Sequence, residues 1–198
     1  MKNLTAVLVA LSFAACGGSG TSAPSLTTAA AINAFLDGKT LVMTGADIPP
    51  YPNGFNENTN YGSATQCYNK STISILSGVW TVTSILGTLN GAASTGATGT
   101  CDTTTPLAGA SPLTFTSTGI AISNVMGNAT CFDIAATYSG FAQEGRGSIS
   151  ADGKTVTLEL YFSGQVSGDH CANGAIGSGV TLNGSAFSMN AEQVYVVQ

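Results

Sequence analysis

Charged residues are scarce in this sequence. Asp, Glu, Lys and Arg make up 8% of its 198 residues, against about 25% in an average soluble domain. The five cations are outnumbered by ten acidic residues, and the formal net charge is −5. Proteins that bind nucleic acids or anionic surfaces through charge need clustered cations. The composition therefore argues against such a surface, and we expect no nucleic-acid partner.

Residue types that perform acid–base catalysis or ligate metals are also few. His170 is the only histidine, and it stands between Asp169 and a cysteine that we expect to be oxidised. The chain has no Gly-x-Ser-x-Gly or Cys-x-x-Cys motif. Paired carboxylates remain possible acid–base groups for glycoside hydrolysis, and the candidates are Glu57, Asp133, Glu144 and Glu159. We expect no catalytic site, no metal and no cofactor.

No apolar run is long enough for a membrane-spanning helix, which needs about 20 residues. The longest one, residues 4–15, follows Lys2 and ends in small residues before Cys16 and a pair of glycines. A charged start, a short apolar segment and a small-residue cleavage site are typical of a secretory signal peptide. We therefore expect residues 1–15 to be removed on export.

The end of this signal, Phe-Ala-Ala-Cys at residues 13–16, resembles the lipobox of bacterial lipoproteins. The resemblance implies that Cys16 is lipidated and that residues 16–24 form a flexible tether. Gly rather than Asp follows the cysteine, which in Gram-negative lipoproteins favours the outer membrane. An ordinary secretory signal, cleaved after an alanine with Cys16 left unmodified or lost, is the alternative.

Four further cysteines, an even number in an exported chain, predict two disulfides. Their pairing depends on whether the Ser77-Gly78 dipeptide is a hairpin turn or a bulge within one strand over 71–86. A bulge explains the shift in alternation between Ile75 and Trp80, and in an up-and-down arrangement it brings the cysteines together in pairs. We therefore favour the bulge, and the predicted disulfides are Cys101–Cys131 and Cys67–Cys171. The hairpin pairs Ile75 with Trp80 and places three of the four cysteines at one end.

Alternation of apolar and polar residues predicts an all-β fold over residues 25–198, preceded by one short helix at 25–37. We expect an antiparallel up-and-down barrel or a two-sheet sandwich of about eight to ten strands. Residues 147–156 loosely resemble hairpins of lipocalin-like barrels. Residues 87–112 are expected to be irregular. The predicted strands are 39–45, 71–76, 79–86, 113–117, 119–125, 129–138, 141–150, 154–163, 179–189 and 193–197.

The Asp152-Gly153 turn sets the register of the clearest hairpin. It pairs Ile149 with Val156 and places Arg146 opposite Glu159 on the outer face, where an ion pair across neighbouring strands would stabilise the sheet. On the inner face it puts Gly145 and Gly147 beside leucines. These glycines either relieve crowding or leave room for a ligand.

Residues 46–66 combine prolines, aromatic residues and amides, and are the candidate recognition surface. Aromatic faces stack on rings while amides hydrogen-bond, and the candidate ligand-binding residues are Tyr51, Phe55, Asn56, Glu57 and Tyr61. Two alternatives are a loop that covers the barrel mouth with its aromatics buried, and a calcium site.

These observations lead to three functional hypotheses. The first is a non-enzymatic outer-membrane lipoprotein whose β-domain binds a small molecule, a glycan or an envelope protein. The second is a surface-coat or adhesion lipoprotein without a pocket. The third is a hydrolase that acts on envelope polymers.

Overall fold

The computed structural model describes residues 23–48, 67–90, 100–182, 184–186 and 191–198. Those residues form one α-helix, α1, over Ala29–Leu36, and a 3-10 turn over Cys171–Asn173. They also form twelve strands: β1 Thr40–Asp47, β2 Cys67–Leu76, β3 Val79–Asn90, β4 Thr100–Pro106, β5 Leu113–Met126, β6 Cys131–Tyr138, β7 Phe141–Ile149, β8 Thr155–Phe162, β9 Val166–Ser167, β10 Thr181–Leu182, β11 Ser185–Ala186 and β12 Glu192–Val197.

Eight strands close into an antiparallel barrel in the order β2-β1-β12-β8-β7-β6-β5-β3, and β3 pairs back onto β2. Strand β4 pairs with the end of β3, while β9, β10 and β11 form a small separate sheet between β8 and β12. Closure leaves no unpaired edge in the ring. The expected all-β, up-and-down, lipocalin-like barrel is confirmed.

Period-two alternation places one side of each barrel strand in the interior. On β8, Val156 and Leu158 are fully buried in the core cluster, and Phe132 and Ile134 alternate in the same way on β6. The predicted pairing of Ile149 with Val156 is confirmed. Apolar side chains from these strands fill the barrel interior, as is usual for eight strands.

The helix closes one end of this interior. The Thr28 side chain accepts a hydrogen bond from the Ala31 N–H at 3.1 Å and caps the helix, which begins at Ala29 rather than at the expected residue 25. Ile32 and Leu36 are buried in the barrel core. We term this end, with turns 77–78, 127–130 and 150–154, the helix end. The opposite end, with turn 139–140 and the end of β1, is the far end.

The bulge predicted at Ser77-Gly78 is wrong, because these residues form the turn of the β2–β3 hairpin. Both have positive φ, 52° and 76°, a combination typical of a two-residue turn between antiparallel strands. Ile75 lies opposite Trp80, which is the register of the alternative hairpin. The chain therefore reverses here, and β3 returns to the far end.

The predicted disulfides Cys101–Cys131 and Cys67–Cys171 are also wrong. The structure has Cys67–Cys101 and Cys131–Cys171. Because β3 turns back at 77–78, its partner β4 brings Cys101 next to the start of β2. Residues 163–182 leave the far end and lie along the barrel wall, which carries Cys171 to Cys131 at the start of β6. The crosslinks span 34 and 40 residues. A disulfide that closes a loop of that size stabilises the folded protein by about 4 kcal/mol.

Three further differences concern strand boundaries. Part of the expected irregular stretch 87–112 is strand, since β3 continues to Asn90 and β4 covers Thr100–Pro106. The two strands predicted over 113–125 are one strand, β5, with a register shift between Ser117 and Gly119. Within the strand predicted at 179–189, the described residues form the two short strands β10 and β11, while residues 183 and 187–189 lie outside the described residues.

Candidate functional site

Four aromatic side chains form a cluster at the far end of the barrel. The rings of Tyr138 and Phe141 stack with centroids 4.7 Å apart, and Phe115 meets Phe141 edge to face at 5.1 Å. Phe162 packs against Phe141 at 5.8 Å. These offset and T-shaped arrangements are the favoured geometries of aromatic pairs. We term the four residues the aromatic rim.

Strand register explains why the rim forms on the inward side of the wall. The tight turn 139–140 places Tyr138 directly opposite Phe141. Tyr138 lies on the same face of β6 as the core residue Ile134. Phe115 lies opposite Val82, whose side chain packs against the core. Phe115 is 38% exposed whereas Tyr138 is 6% exposed. The rim therefore has a buried base and an accessible upper ring.

Uncharged polar groups also line the interior of the barrel. The buried hydroxyls of Ser71 and Ser84 lie 2.8 Å apart, and the Tyr195 hydroxyl donates to Gln193 Oε1 at 2.6 Å. Burial raises the pKa of Tyr195, and a hydrogen bond with Ser71 opposes that shift. Burial likewise raises the pKa of Tyr138 to about 12. Both phenols stay protonated at neutral pH and remain hydrogen-bond donors.

The sequence-predicted ligand residues Tyr51, Phe55, Asn56, Glu57 and Tyr61 lie outside the described residues, and so does Cys16. The strands that flank this segment, β1 and β2, meet at the far end, where Asp47 pairs with Cys67. The described residues on either side of this segment, Ile48 and Cys67, thus lie at the same end of the barrel as the aromatic rim.

The two inward glycines of β7 relieve crowding and do not leave room for a ligand. A Cβ atom at Gly147 would enter the ring of Phe132 and lie 3.2 Å from Leu158 Cδ2. At Gly145, where φ is +155°, it would collide with the carbonyl oxygen of Glu159. Neither glycine position therefore offers space for a ligand.

The outer side of the same strands carries a buried ion pair. Arg146 donates from Nε and Nη2 to Glu159 Oε2 at 2.9 and 2.6 Å, and both residues are 0% exposed. The predicted cross-strand pair is confirmed, but it is buried because residues 163–182 cover it. Arg146 also donates to the carbonyls of Gly174 and Ser178, each at 2.9 Å. The pair therefore attaches this covering segment to the barrel wall.

A second polar cluster fastens the same segment beside the Cys131–Cys171 disulfide. Asp133 accepts hydrogen bonds from the Cys171 N–H at 2.7 Å and from Asn124 Nδ2 at 2.6 Å. His170 Nδ1 lies 3.5 Å from Asp133 Oδ2, and the imidazole is about half exposed. The histidine thus contacts Asp133, and this geometry fits a role in holding residues 163–182 against the barrel wall.

The remaining described candidates, Glu144 and Glu159, lie on the outer face of neighbouring strands. Glu159 is enclosed with Arg146 and accepts from the Tyr161 hydroxyl at 2.6 Å. Glu144 accepts from the Gly164 N–H at 2.7 Å, and Glu57 is not described. Asp169 is 3% exposed and its Oδ2 has no hydrogen-bond partner among the described residues. Burial raises the pKa of this carboxyl.

Sequence reasoning did not single out the aromatic rim. A usable signal was present in the Tyr138-Ser-Gly-Phe141 pattern, two aromatic residues on either side of a two-residue turn. Strand alternation then predicts that both rings point inward. The contributions of Phe115 and Phe162 depend on the barrel register, which brings β5 and β8 to either side of this hairpin.

Comparison with known proteins found no matching family model, no matching curated protein and no matching solved structure. Within the described residues, no helix is long and apolar enough to span a membrane. No group of three or more His, Cys, Asp or Glu side chains in that same part of the chain is arranged to hold a metal ion.

Proposed function

We propose that this protein is an outer-membrane lipoprotein that binds an uncharged, ring-containing ligand, such as an oligosaccharide, at the aromatic rim. The observation that carries the proposal is the rim itself, four clustered rings at the end of the barrel with Phe115 partly exposed. Binding sites combine aromatic surface with a few placed polar groups. The polar groups beneath this rim are hydroxyls and amides, which suit a neutral ligand.

The disulfides and the signal-like N-terminus support the assignment to the cell envelope. The presence of two disulfides supports an oxidising compartment. The lipobox-like residues 13–16 support the proposed lipid anchor at Cys16. Stable membrane anchoring takes two or more acyl chains.

The test is calorimetric titration of the detergent-purified full-length protein with neutral hexasaccharides derived from cellulose, laminarin, chitin and amylose. We expect at least one of them to bind. The Phe115→Ala and Phe141→Ala variants should each bind it about tenfold more weakly, a loss of about 1.4 kcal/mol. Val196→Ala, an exposed position on the outer wall, is the matched control and should bind normally. Absence of binding to all four sugars, or unchanged binding by both phenylalanine variants, would overturn the proposal.

A second candidate function, a coat or adhesion protein, is favoured by the outer wall. Strand register aligns one row of β-branched side chains across six strands, and none of them is charged: Thr155, Val196, Val42, Thr72, Thr83 and Thr114. An uncharged row of this kind is suited to contact between copies. Sedimentation of the purified protein tests this. Self-association that Thr83→Lys abolishes would support the coat, and a monomer at all concentrations would oppose it.

A further inference from the structure

Three large apolar side chains are exposed at the turns of the helix end. Leu76 is 68% exposed, Val79 43% and Met126 43%. Leu76 and Val79 pair across the β2–β3 hairpin next to its turn, and Met126 is the last residue of β5 before the next turn. All three side chains lie at strand ends and are exposed rather than packed in the barrel core.

The N-terminal segment enters the fold at this same end. The Pro24 carbonyl accepts a hydrogen bond from Asn128 Nδ2 at 2.9 Å, and the Leu26 N–H donates to the other side-chain atom of that residue. The Gly153 position faces Phe35 and Pro24. Residue 24 is therefore held between the 127–130 and 150–154 turns.

The distance along the chain from Cys16 to this attachment is short. Seven residues, 17–23, separate the cysteine from Pro24, and an extended chain spans at most about 3.5 Å per residue, or roughly 28 Å in total. A lipid on Cys16 would thus hold the helix end, rather than the far end, close to the bilayer.

The charges of the two ends agree with this orientation. The helix end carries two acidic residues and two lysines, whose charges cancel: Asp37, Lys39, Asp152 and Lys154. The last two form an ion pair at 3.6 Å. The described charges near the far end are mostly acidic, with Asp102, Glu144 and Glu192 against Lys70. Anionic lipid headgroups would repel the far end and would neither attract nor repel the helix end.

We propose that the helix end is a membrane-contact surface, in which Leu76, Val79 and Met126 enter the headgroup region of the bilayer that holds the Cys16 anchor. The far end and its aromatic rim then face away from that bilayer. This inference rests on the proposed lipid anchor. It adds a fixed orientation, which the anchor alone would not impose.

The experiment compares tryptophans placed at the helix end with one placed on the barrel wall. Full-length Leu76→Trp and Met126→Trp proteins are reconstituted in vesicles of phosphatidylethanolamine and phosphatidylglycerol that contain brominated phosphatidylcholine, which quenches tryptophan within the bilayer. Val194→Trp is the matched control, because Val194 is comparably exposed, at 52%, but lies on the barrel wall. The native Trp80 is buried, at 2% exposure, and serves as a constant background.

We expect quenching at positions 76 and 126 to exceed that at 194 by about threefold, as for side chains held in the interface. Equal quenching at all three positions would overturn the orientation. The intact mass of the same preparation reports acylation separately. Acylated protein with unquenched Trp at 76 and 126 refutes the contact surface and leaves the anchor standing. If Cys16 is present but bare, the anchor proposal fails, and coupling its thiol to a maleimide lipid lets the same quenching test decide the orientation. A mature chain that starts after Cys16 overturns both.

Discussion

The inner and outer faces of β6, β7 and β8 are both buried, but by different means. Inside the barrel, Phe132 and Leu158 pack against apolar neighbours and the glycine at 147 makes room for the ring. Outside, Arg146 and Glu159 are equally buried under residues 163–182 and are held by an ion pair and hydrogen bonds to backbone carbonyls. Apolar packing is non-directional and tolerant, whereas a buried ion pair stabilises only while every partner is in place.

That difference predicts two kinds of failure. Damage to the inner face should lower the stability of the whole barrel, because its core is shared by all eight strands. Damage to the outer face should first release the covering segment, because the ion pair joins that segment to the wall. Hydrogen exchange separates the two, since local and global opening expose different amides.

The largest effect is expected from Arg146→Met. It leaves the Glu159 carboxylate buried without its cation, and breaking a buried pair in this way costs about 3–5 kcal/mol. Chemical denaturation measures the loss, and amides of residues 163–182 should exchange faster than those of the barrel. The double variant Arg146→Met/Glu159→Met is the control, because it removes the uncompensated charge and should recover part of the loss. A single variant that loses less than about 1 kcal/mol would show that the ion pair does not hold the segment.

Leu158→Ala should have the next largest effect. The side chain is 0% exposed in the core, and removing most of a buried leucine side chain costs roughly 2–5 kcal/mol. Here the same denaturation curves should shift while exchange increases across the barrel strands. Val196→Ala, 55% exposed on the outer wall, should stay within about 0.5 kcal/mol of the parent. Exchange confined to residues 163–182 would contradict a shared core.

The smallest effect is expected at Asp169, the buried carboxyl without a described partner for Oδ2. Burial raises its pKa above the 3.8 of an unperturbed aspartate, so the folded state holds the proton more tightly than the unfolded state. Its stabilising contribution is therefore present below pH 3.8 and is lost as the pH rises through the folded pKa. Asp169→Asn should stabilise the protein at pH 7 by no more than about 1 kcal/mol. Melting curves from pH 3 to pH 8 test this, and a benefit that is the same at both extremes would refute it.

The rim and the ion pair show how far residue patterns reach. The Asp152-Gly153 turn is short, so the register from Ile149 to Arg146 could be counted along the chain and agrees with the structure. The burial of Arg146 could not, because it depends on where residues 163–182 lie, and no local pattern specifies that. The rim assembles Phe115, Tyr138 and Phe162 from β5, β6 and β8, and their meeting depends on the pairing registers of these successive strands, which include the shift in β5 after Ser117.

The cysteines show the same limit. Their even number predicted two disulfides, but which cysteines pair follows from the direction of β3 after Ser77-Gly78. A bulge and a two-residue turn both shift the alternation by one residue, and they send the next strand in opposite directions. A single local ambiguity thus propagated into both predicted pairs.

The sequence by itself determined the all-β class, the inward and outward faces of most strands and the presence of two crosslinks, because alternation and composition are local properties of the chain. Tertiary structure alone decided the cysteine partners, the burial of Arg146 and Glu159 and the assembly of the rim. Each of these depends on contacts between residues far apart in sequence, and those contacts are set by how the strands turn and close.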